Sequence, residues 1–328
     1  IRFCLHRFLG SDTDDYTYEA LKLFLLGAIS RAFKPGCKFE VMLCLVGGQG
    51  AGKSSFFRLL AVNDDWFSDD LKKLDDENVY RKMQGHWIIE MSEMIATANA
   101  KSIEEIKSFL SRQKETYKIP YETHPADRKR QCVFGGSSNT LDFLPLDRTG
   151  NRRFVPVMVY PERAEVHILA DEQASREYIN QMWAEAMEIY RSSNFRLRFS
   201  PAMNDYLKAH QKDFMPEDTK AGQILDYLER YSGSMVCSKQ LYKEALGHDY
   251  DEPKQWELRE INDIMNNAVT GWRAFSNPRY FPEPYRRQKG WERIRNDNEP
   301  DNSMDGFQEI PTEEMEQLGL PEEWLKQK

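Results

Sequence analysis

Long hydrophobic runs are missing from this chain of 328 residues. A membrane-spanning helix needs about 20 consecutive apolar residues, and no stretch comes close to that length. The chain also shows no signal peptide, no internal repeat and no low-complexity block. These absences predict a cytoplasmic protein without a membrane partner. The sequence begins at Ile1, and we expect that a preceding segment has been removed.

Cysteine and positive charge are also scarce. The five cysteines are scattered, and no pair forms a C-x-x-C motif. This pattern excludes a disulfide framework and a zinc site, and it predicts small core residues in a reducing compartment. Lysine and arginine total 45 against 53 aspartate and glutamate, so the net charge is −8. Any nucleic-acid contact must therefore come from local basic patches.

The strongest positive signal is a glycine-rich loop after a short apolar run. Val41–Val46 has the length and composition of a buried strand. It leads into Gly47–Ser54, which matches G-x-x-x-x-G-K-[ST], and Ser55–Ala61 then has the apolar face of a helix. This strand–loop–helix context predicts a phosphate-binding loop for ATP. A glycine-rich turn that matches by accident is the alternative, and the flanking elements argue against it.

Each part of this loop has an expected role. The glycines let the backbone approach phosphate oxygens with its N–H groups. Lys53 is predicted to stand exposed in a preformed cleft and to reach the β- and γ-phosphates, and Ser54 is predicted to hold Mg²⁺. The predicted nucleotide-binding residues are Gly47, Gly48, Gln49, Gly50, Ala51, Gly52, Lys53, Ser54 and Ser55.

A second apolar stretch, Gly85–Glu93, carries two acidic residues. A buried strand that ends in an acid, downstream of a phosphate loop, is where such enzymes place the carboxylates for Mg²⁺ and water. Glu90 is predicted to lie at the strand's end near the metal, and Glu93 to orient the attacking water. The alternative is that both are solvated at a strand–helix junction, and the division of roles between them stays open.

Two further polar groups follow predicted strands. Gln131–Asn139 ends in small polar residues, and Asn139 is predicted to hydrogen-bond the water or the γ-phosphate. Arg152 and Arg153 precede the strand Val155–Val159. Adjacent side chains on an extended chain face opposite ways. We therefore expect one arginine to pair within its own subunit and the other to reach a neighbouring subunit as an arginine finger.

The segment between the second and third core strands is basic and aromatic at its flanks. This composition suits contact with a nucleic-acid backbone, with single-stranded DNA the expected ligand. The alternative is a solvated charged hairpin, because Glu115, Glu122 and Asp127 dilute the positive field. The predicted nucleic-acid contacts are Lys114, Tyr117, Lys118, Arg128, Lys129 and Arg130.

At 40% hydrophobic residues, the chain can bury a core and is predicted to form more than one domain. We expect a helical lead-in over 1–40, an ATPase domain over 41–215, a winged-helix-like domain over 216–296 and an acidic tail over 297–328. The C-terminal pattern is three helices, Ala221–Tyr231, Ser238–Leu246 and Gln255–Ala268, then a two-stranded wing formed by Gly271–Phe281 and Arg286–Ile294.

The third helix of the C-terminal pattern is acidic, whereas the predicted wing is basic. The third helix carries Glu257, Glu260 and Asp263, which would repel phosphates, so docking to DNA or to protein stays open. The predicted wing favours DNA because of its cations, Arg273, Arg279, Arg286, Arg287, Lys289, Arg293 and Arg295.

The order of these motifs resembles the superfamily 3 helicase branch of the AAA+ ATPases, and more closely the virulence-associated protein E family of phages and mobile islands. The matching segments are Pro35–Phe39, Gly47–Ser54, Trp66-Phe67, Trp87–Glu93, Ser111–Gln113, Arg130–Phe134, Asn139 and Thr149–Phe154. The resemblance implies an α/β P-loop core and a replicative ATPase that forms a ring of identical subunits, expected to be hexameric. Such proteins often carry a primase region upstream, which is absent here. One departure is Glu-x-x-Glu, where related helicases usually have adjacent acids.

These signals together predict an ATP-dependent DNA helicase or translocase with ATP and Mg²⁺ as cofactors. An initiator or loader that uses ATP as an assembly switch, without unwinding DNA, is the alternative. A small-molecule kinase is disfavoured, because the basic hairpin and the arginine pair have no role in it.

Overall fold

The computed structural model describes residues 1–71, 74, 79–93, 100–117, 124–146 and 151–294. Lys118 and the acidic tail over 297–328 lie outside the described residues, as does Arg295. The chain divides into two compact units, Ile1–Thr219 and Lys220–Lys328. Each unit is described by itself.

The first unit contains every helix and strand that the sequence predicts for it. Its helices are α1 (Cys4–Leu9), α2 (Asp15–Phe33), α3 (Lys53–Leu60), α4 (Val79–Met83), α5 (Ala100–Ser111), α6 (Glu172–Arg191) and α7 (Pro201–His210). Its strands are β1 (Met42–Val46), β2 (Phe67–Ser68), β3 (Ile88–Ser92), β4 (Lys114–Tyr117), β5 (Ala126–Lys129), β6 (Val133–Ser138) and β7 (Phe154–Met158). Three short 3-10 helices lie at Asp64–Trp66, Pro161–Arg163 and Gln211–Phe214.

The centre of this unit is a five-stranded sheet in the order β2-β3-β6-β1-β7, with every neighbouring pair parallel. Parallel sheets are covered on both faces, so their inner strands are apolar throughout. All five residues of β1 are buried accordingly. The unit is therefore a mixed α/β structure built on a parallel sheet.

Alternation along each strand divides the core between the two faces of the sheet. Leu43 and Leu45 belong to the hydrophobic core that α1, α2, α3 and α6 complete. Met42, Cys44 and Val46 belong to the core on the other face, where α4 and α5 pack. The result is three layers, helices–sheet–helices.

Because the five strands are parallel, their C-terminal ends lie along one side of the sheet, which we call the carboxyl edge. At this edge β1 passes into the glycine-rich loop. Helix α5 returns the chain to the opposite edge, where the strands begin, and the antiparallel hairpin β4–β5 stands there. The amide of Arg130 donates to Gln113 O at 2.9 Å and closes the hairpin's base. We call this second edge the amino edge.

The second unit is built from short elements. Its helices are α8 (Thr219–Arg230), α9 (Ser238–Gln240), which continues as a π-helical turn over Leu241–Ala245, and α10 (Gln255–Asn267). Its strands are β8 (Met235–Cys237), β9 (Trp272–Ala274), β10 (Arg279–Phe281), β11 (Arg286–Gln288) and β12 (Gly290–Arg293).

The two segments of the predicted wing pair with each other, β9 with β12 and β10 with β11, but β8 adds a third strand that the sequence did not predict. Each of the wing's two long strands is divided, and β12 lies between β8 and β9 in a three-stranded antiparallel sheet. The inner strands β10 and β11 form a separate hairpin. The physical reason is that Trp291 on β12 is buried in a core with Ile224, Ile261 and Ile264 of the helices, so β12 is drawn inward.

Candidate functional site

Side chains from three strands come together at the carboxyl edge. The glycine-rich loop follows β1, Asn139 follows β6, and Glu93 follows β3. The register places Val46 beside Ser138, so the ends of β1 and β6 are level. In open parallel sheets, ligands bind outside the carboxyl ends of the strands. This edge is therefore the candidate site.

The glycine-rich loop is anchored to the sheet and ends at an uncapped helix. The amide of Gly47 donates to Ser138 O at 3.1 Å. Gly50 and Gly52 have φ of +80° and +81°, which side chains other than glycine rarely adopt. Helix α3 begins at Lys53, and no side chain caps the amides of its first turn. Such amides, together with the helix dipole, form an anion site, so the loop fits a phosphate group.

Lys53 is buried, contrary to the prediction that it stands exposed in a cleft. Its side chain is only 7% exposed, and its ammonium group donates to Gly47 O at 2.6 Å and Gly48 O at 2.7 Å. The third ammonium proton goes to Asn139 Oδ1 at 2.9 Å. Burial lowers the pKa of Lys53, although Glu93 and Glu90 oppose this effect. The lysine therefore crosslinks the loop to the end of β6.

Glu90 lies inside β3, two residues before its end, and not at the strand's end as predicted. It is completely buried. Its Oε1 accepts hydrogen bonds from Ser54 Oγ at 2.8 Å and from Ser137 Oγ at 2.5 Å. In the described part of the chain, its Oε2 is buried without a hydrogen-bond partner. Burial raises the pKa of Glu90, and the two serine hydroxyls only partly offset that effect.

Ser137 is a member of this site that the sequence reasoning did not single out. It stands on β6, beside both Leu45 of β1 and Ser92 of β3. Its hydroxyl reaches Glu90 and lies 3.3 Å from Ser92 Oγ. The signal was available in the small polar residues that end β6, but their contact with Glu90 depends on strand pairing.

Glu93 and Asn139 form a second pair at the same edge. The amide of Asn139 donates to Glu93 Oε1 at 2.8 Å. Glu93 directly follows β3 with a left-handed φ of +51°, which is uncommon for a residue other than glycine. Its own amide donates to Ser137 O at 3.0 Å. Asn139 thus joins Glu93 to Lys53, and the predicted catalytic residues at this edge form one connected set.

The donor set at this edge suits a hard divalent cation next to a phosphate. A hydroxyl from Ser54 and carboxylate oxygen from Glu90 are ligand types that Mg²⁺ takes with water and phosphate. The unpartnered Oε2 of Glu90 gives a buried acceptor that a cation or a proton would satisfy. The residues present therefore fit a nucleotide phosphate with Mg²⁺.

The arginine pair lies at the amino edge, in a turn before β7 rather than in an extended segment. Both side chains contact one carboxylate. Arg152 is 3.3 Å and Arg153 is 3.6 Å from the oxygens of Glu40. Arg153 also donates from Nε to Ser111 Oγ at 2.9 Å. The expectation that the two side chains face opposite ways is therefore wrong for this turn.

The arginine pair lies far from the glycine-rich loop of its own chain. The amide of Met42, at the start of β1, donates to Arg153 O at 2.7 Å. The glycine-rich loop begins five residues further along β1. At about 3.3 Å per residue, roughly 16 Å separate the arginines from the loop of their own chain. An arginine side chain cannot span that distance.

The predicted hairpin is present, but its basic residues differ in accessibility. The register pairs Lys114 with Lys129 and Glu115 with Arg128. Lys129 is exposed, and among the described residues it has no ion-pair partner. Lys114 is exposed but forms an ion pair with Asp127.

Arg130 is a correction to the predicted nucleic-acid contacts. Its side chain is buried, donates to Phe109 O at 2.6 Å and forms an ion pair with the buried Glu115. Its guanidinium also lies 4.6 Å from the ring centre of Phe109 and 5.2 Å from that of Phe134. Arg130 therefore holds the hairpin to the core and cannot present its charge to a ligand.

Several cations of the second unit are engaged by groups within the unit. Glu292 pairs with Arg273 at 2.8 Å and with Arg279 at 2.6 Å. Arg293 donates to the carbonyl oxygens of Leu228 and Tyr231 near the end of α8. In the described part of this unit, Arg287 and Lys289 are exposed without an ion pair, whereas Arg286 contacts Glu283 at 3.4 Å.

The described residues contain no cluster of three or more histidine, cysteine, aspartate or glutamate side chains arranged to hold a metal ion. None of the helices in the described part of the chain combines the length and hydrophobicity needed to cross a bilayer.

The family model for the virulence-associated protein E-like domain matches residues 1–216. Among solved structures, the apo structure of the NrS-1 C-terminal region aligns with a TM-score of 0.46 and 13% identity, covering 90% of this chain and 74% of that chain. The A form apo structure of the same region gives 0.47 and 14%, covering 89% and 74%. No curated protein matches the sequence significantly. Because the family model covers more than half of the chain, as the motifs predicted, this chain belongs to the virulence-associated protein E-like family.

Proposed function

We propose that the chain is an ATP-hydrolysing motor that acts on single-stranded DNA during replication of a phage or mobile element. The observation that carries the proposal is the connected set at the carboxyl edge, in which Lys53, Ser54, Glu90, Glu93 and Asn139 meet. Three separate strands contribute to it. A lysine, a hydroxyl, a buried carboxylate and a second carboxylate are the groups that phosphoryl transfer to water requires.

We also propose a fold for each of the two units. We infer that Ile1–Thr219 is a P-loop unit of the AAA+ type and that the second unit is winged-helix-like. The loop between β1 and α3, with the acidic strand two positions away in the sheet, supports the first part. Helices α8, α9 and α10 followed by short antiparallel strands support the second.

Each residue of the connected set has a task in this proposal. The loop amides and the first turn of α3 bind phosphate oxygens. Lys53 exchanges its bonds to Gly47 O and Gly48 O for phosphate oxygens when nucleotide binds. Ser54 and Glu90 would hold Mg²⁺, which would neutralise phosphate charge when bound. Glu93 orients the attacking water, and Asn139 ties its position to that of Lys53.

The arginine pair implies a neighbouring subunit. Neither arginine can reach the loop of its own chain, so a role in hydrolysis requires contact with the site of another copy. Arg152 is the better candidate for a finger, because its side chain is 67% exposed against 21% for Arg153. A head-to-tail interface of this kind closes into a ring, which the family resemblance leads us to expect as a hexamer.

One observation favours the alternative of a loader that uses ATP as an assembly switch. The positive field available to DNA is smaller than the sequence predicts, since Arg130 is buried and Lys114 is ion-paired. An ATPase assay with and without single-stranded DNA separates the two functions. We expect DNA to raise the turnover of the unaltered protein. Turnover that ignores DNA would favour the switch, and absence of any ATPase activity would overturn both.

A further inference from the structure

A cleft of about 710 Å³ opens at the amino edge, beside the hairpin β4–β5. Its walls come from the hairpin, from the turn that leads into β3 and from the segment before β6. The volume lies in the usual range for small-ligand sites. The cleft is separate from the carboxyl-edge site, because the core strands put roughly 16 Å between the two edges.

Four aromatic side chains line this cleft, Trp66, Tyr80, Trp87 and Tyr117, and we call it the aromatic cleft. The rings of Tyr80 and Tyr117 stack with centroids 5.6 Å apart and an interplanar angle of 15°. The guanidinium of Arg128 lies 5.3 Å from the centre of the Tyr117 ring. Trp66 is 46% exposed and meets Trp87 edge to face. Tyr80 and Arg128 thus occupy the faces of Tyr117, and the exposed ring of Trp66 is the flat aromatic surface that the cleft offers to a ligand.

The acidic side chains of the aromatic cleft are neutralised. Glu115 pairs with the buried Arg130, and Asp127 pairs with Lys114. Lys129 lines the same cleft, is exposed, and has no ion-pair partner in the described part of the chain. Although the whole chain carries a net charge of −8, the local balance here favours a ligand with negative charge.

His86 adds a polar group that lacks a partner. It lies in the turn before β3 and lines the aromatic cleft, and its Nδ1 is buried without a hydrogen bond among the described residues. A neutral imidazole nitrogen can donate or accept, according to its tautomer. Buried polar atoms in proteins are nearly always paired, so this atom points to a ligand with a polar edge.

We propose that the aromatic cleft receives an unpaired base of single-stranded DNA. The proposal rests on the proposed function and names the place where the strand meets the protein. A base has a flat face for Trp66 and a polar edge for His86, and its phosphate carries the charge that Lys129 would pair with. A free anion would leave the aromatic faces unused, and an apolar peptide would leave His86 unpaired. A base in a duplex is stacked and cannot enter.

Abasic oligonucleotides test this proposal directly. The unaltered protein is titrated with a short thymidine oligonucleotide and with an abasic oligonucleotide of equal length and charge, with anisotropy as the readout. We expect weaker binding of the abasic strand. Trp66→Ala should weaken binding of the thymidine strand by about 5- to 100-fold, leave abasic binding unchanged and leave the salt slope unaltered. Trp66→Phe should restore stacking, and Trp256→Ala, at an exposed tryptophan in the second unit, is the matched control.

Photocrosslinking of the unaltered protein gives a second measurement that does not depend on a variant folding. An iododeoxyuridine oligonucleotide should form adducts on Trp66, Tyr80 or Tyr117. Adducts confined to other residues would overturn the aromatic cleft as a base site. Equal affinity for thymidine and abasic strands would overturn it too, while leaving the proposed motor in place. Absence of any salt-dependent DNA binding would overturn both.

Discussion

Ser54 Oγ lies 2.8 Å from Glu90 Oε1, although Ser54 is on the helix that follows β1 and Glu90 is on β3, a strand that does not neighbour β1. Strand β6 separates β1 from β3, so the first turn of α3 must reach across it. Ser137, on β6 itself, completes the contact by donating to the same oxygen of Glu90. The buried carboxylate of Glu90 therefore contacts both the first turn after the glycine-rich loop and the central strand β6. The two hydroxyls stabilise that charge only in part, and the described residues provide no hydrogen-bond partner for its second oxygen.

Replacing this carboxylate should increase stability and abolish turnover. Burial raises the pKa of Glu90 above its ordinary value of 4.5. Between the unfolded and folded pKa values the folded state binds more protons, so stability falls as pH rises through that window. Glu90→Gln removes this cost. We expect its thermal midpoint to exceed that of the wild type at pH 8, and the difference to disappear below pH 4.5.

The same variant should lose about 10²-fold or more in ATP turnover, because it removes a charge that the reaction needs. Glu93→Gln is the matched control, since Glu93 is only half-buried and should lose turnover without gaining stability. Calorimetry over a pH series, together with a phosphate-release assay, checks both variants. Equal midpoints for Glu90→Gln and wild type at pH 8 would contradict the cost assigned to the buried charge.

Lys53→Ala should abolish hydrolysis and also destabilise the loop. Lys53 crosslinks Gly47, Gly48 and Asn139, so its removal leaves carbonyl and amide oxygens without a donor. We expect a loss of about 1–3 kcal/mol in the free energy of unfolding, measured by urea titration. Lys208→Ala, at an exposed lysine of α7, should change neither quantity. A Lys53→Ala protein as stable as the wild type would show that these contacts contribute nothing to the nucleotide-free state.

Local patterns predicted the elements of the site better than its contacts. The apolar run before Gly47 and the glycine spacing after it are contiguous in sequence, so β1, the loop and α3 could be placed. Glu90 is predicted at a strand end because phosphate-loop enzymes place the carboxylates for Mg²⁺ and water there. Its burial is compensated by Ser54 and Ser137, which lie 36 and 47 residues away in sequence. No local pattern reports such a pairing.

The prediction that Arg130 contacts nucleic acid was wrong for the same physical reason. The run Asp127–Arg130 reads as a solvated charged patch, but Arg130 finds Glu115 and the ring of Phe109 only after the hairpin folds back on α5. Likewise, adjacent side chains face opposite ways only in a strand, whereas Arg152 and Arg153 lie in a turn. Both contact Glu40, which is 112 residues from Arg152 in sequence.

Arg130 and Lys129 should therefore behave oppositely when replaced. Arg130→Met breaks a buried ion pair and should cost about 3–5 kcal/mol of stability. Lys129→Ala should leave stability unchanged and should lower single-stranded DNA affinity, with the slope of log K against log salt shallower by about 0.7. Urea titration and anisotropy at several salt concentrations measure the two effects. A stable Arg130→Met protein with a shallower salt slope would show that Arg130 reaches DNA after all.

The arginine pair gives the sharpest test of a ring. Arg152 and Arg153 lie roughly 16 Å from the loop of their own chain, so any effect on hydrolysis must act on a neighbour. Arg152→Ala should lower turnover by about 10³–10⁵-fold while ATP binding is retained. Arg153→Ala is the comparison, because Ser111 and Glu40 already hold that side chain within its own subunit. We expect it to retain far more activity than Arg152→Ala.

Mixing then tests whether the finger acts between subunits. A ring of Lys53→Ala subunits has no intact loop, and a ring of Arg152→Ala subunits has no finger, so each variant is inactive alone. A Lys53→Ala subunit still has Arg152, and an Arg152→Ala subunit still has Lys53. In an equimolar random ring, about one quarter of the head-to-tail interfaces pair an intact loop with an intact finger. If interfaces fire independently, the mixture should recover about a quarter of the wild-type ATPase rate, measured after subunit exchange is verified with labelled protein. An inactive mixture of folded, exchanging subunits would contradict a finger that acts independently at each interface. If Arg153→Ala abolished turnover and Arg152→Ala did not, the finger would be Arg153 and the choice of Arg152 would be wrong.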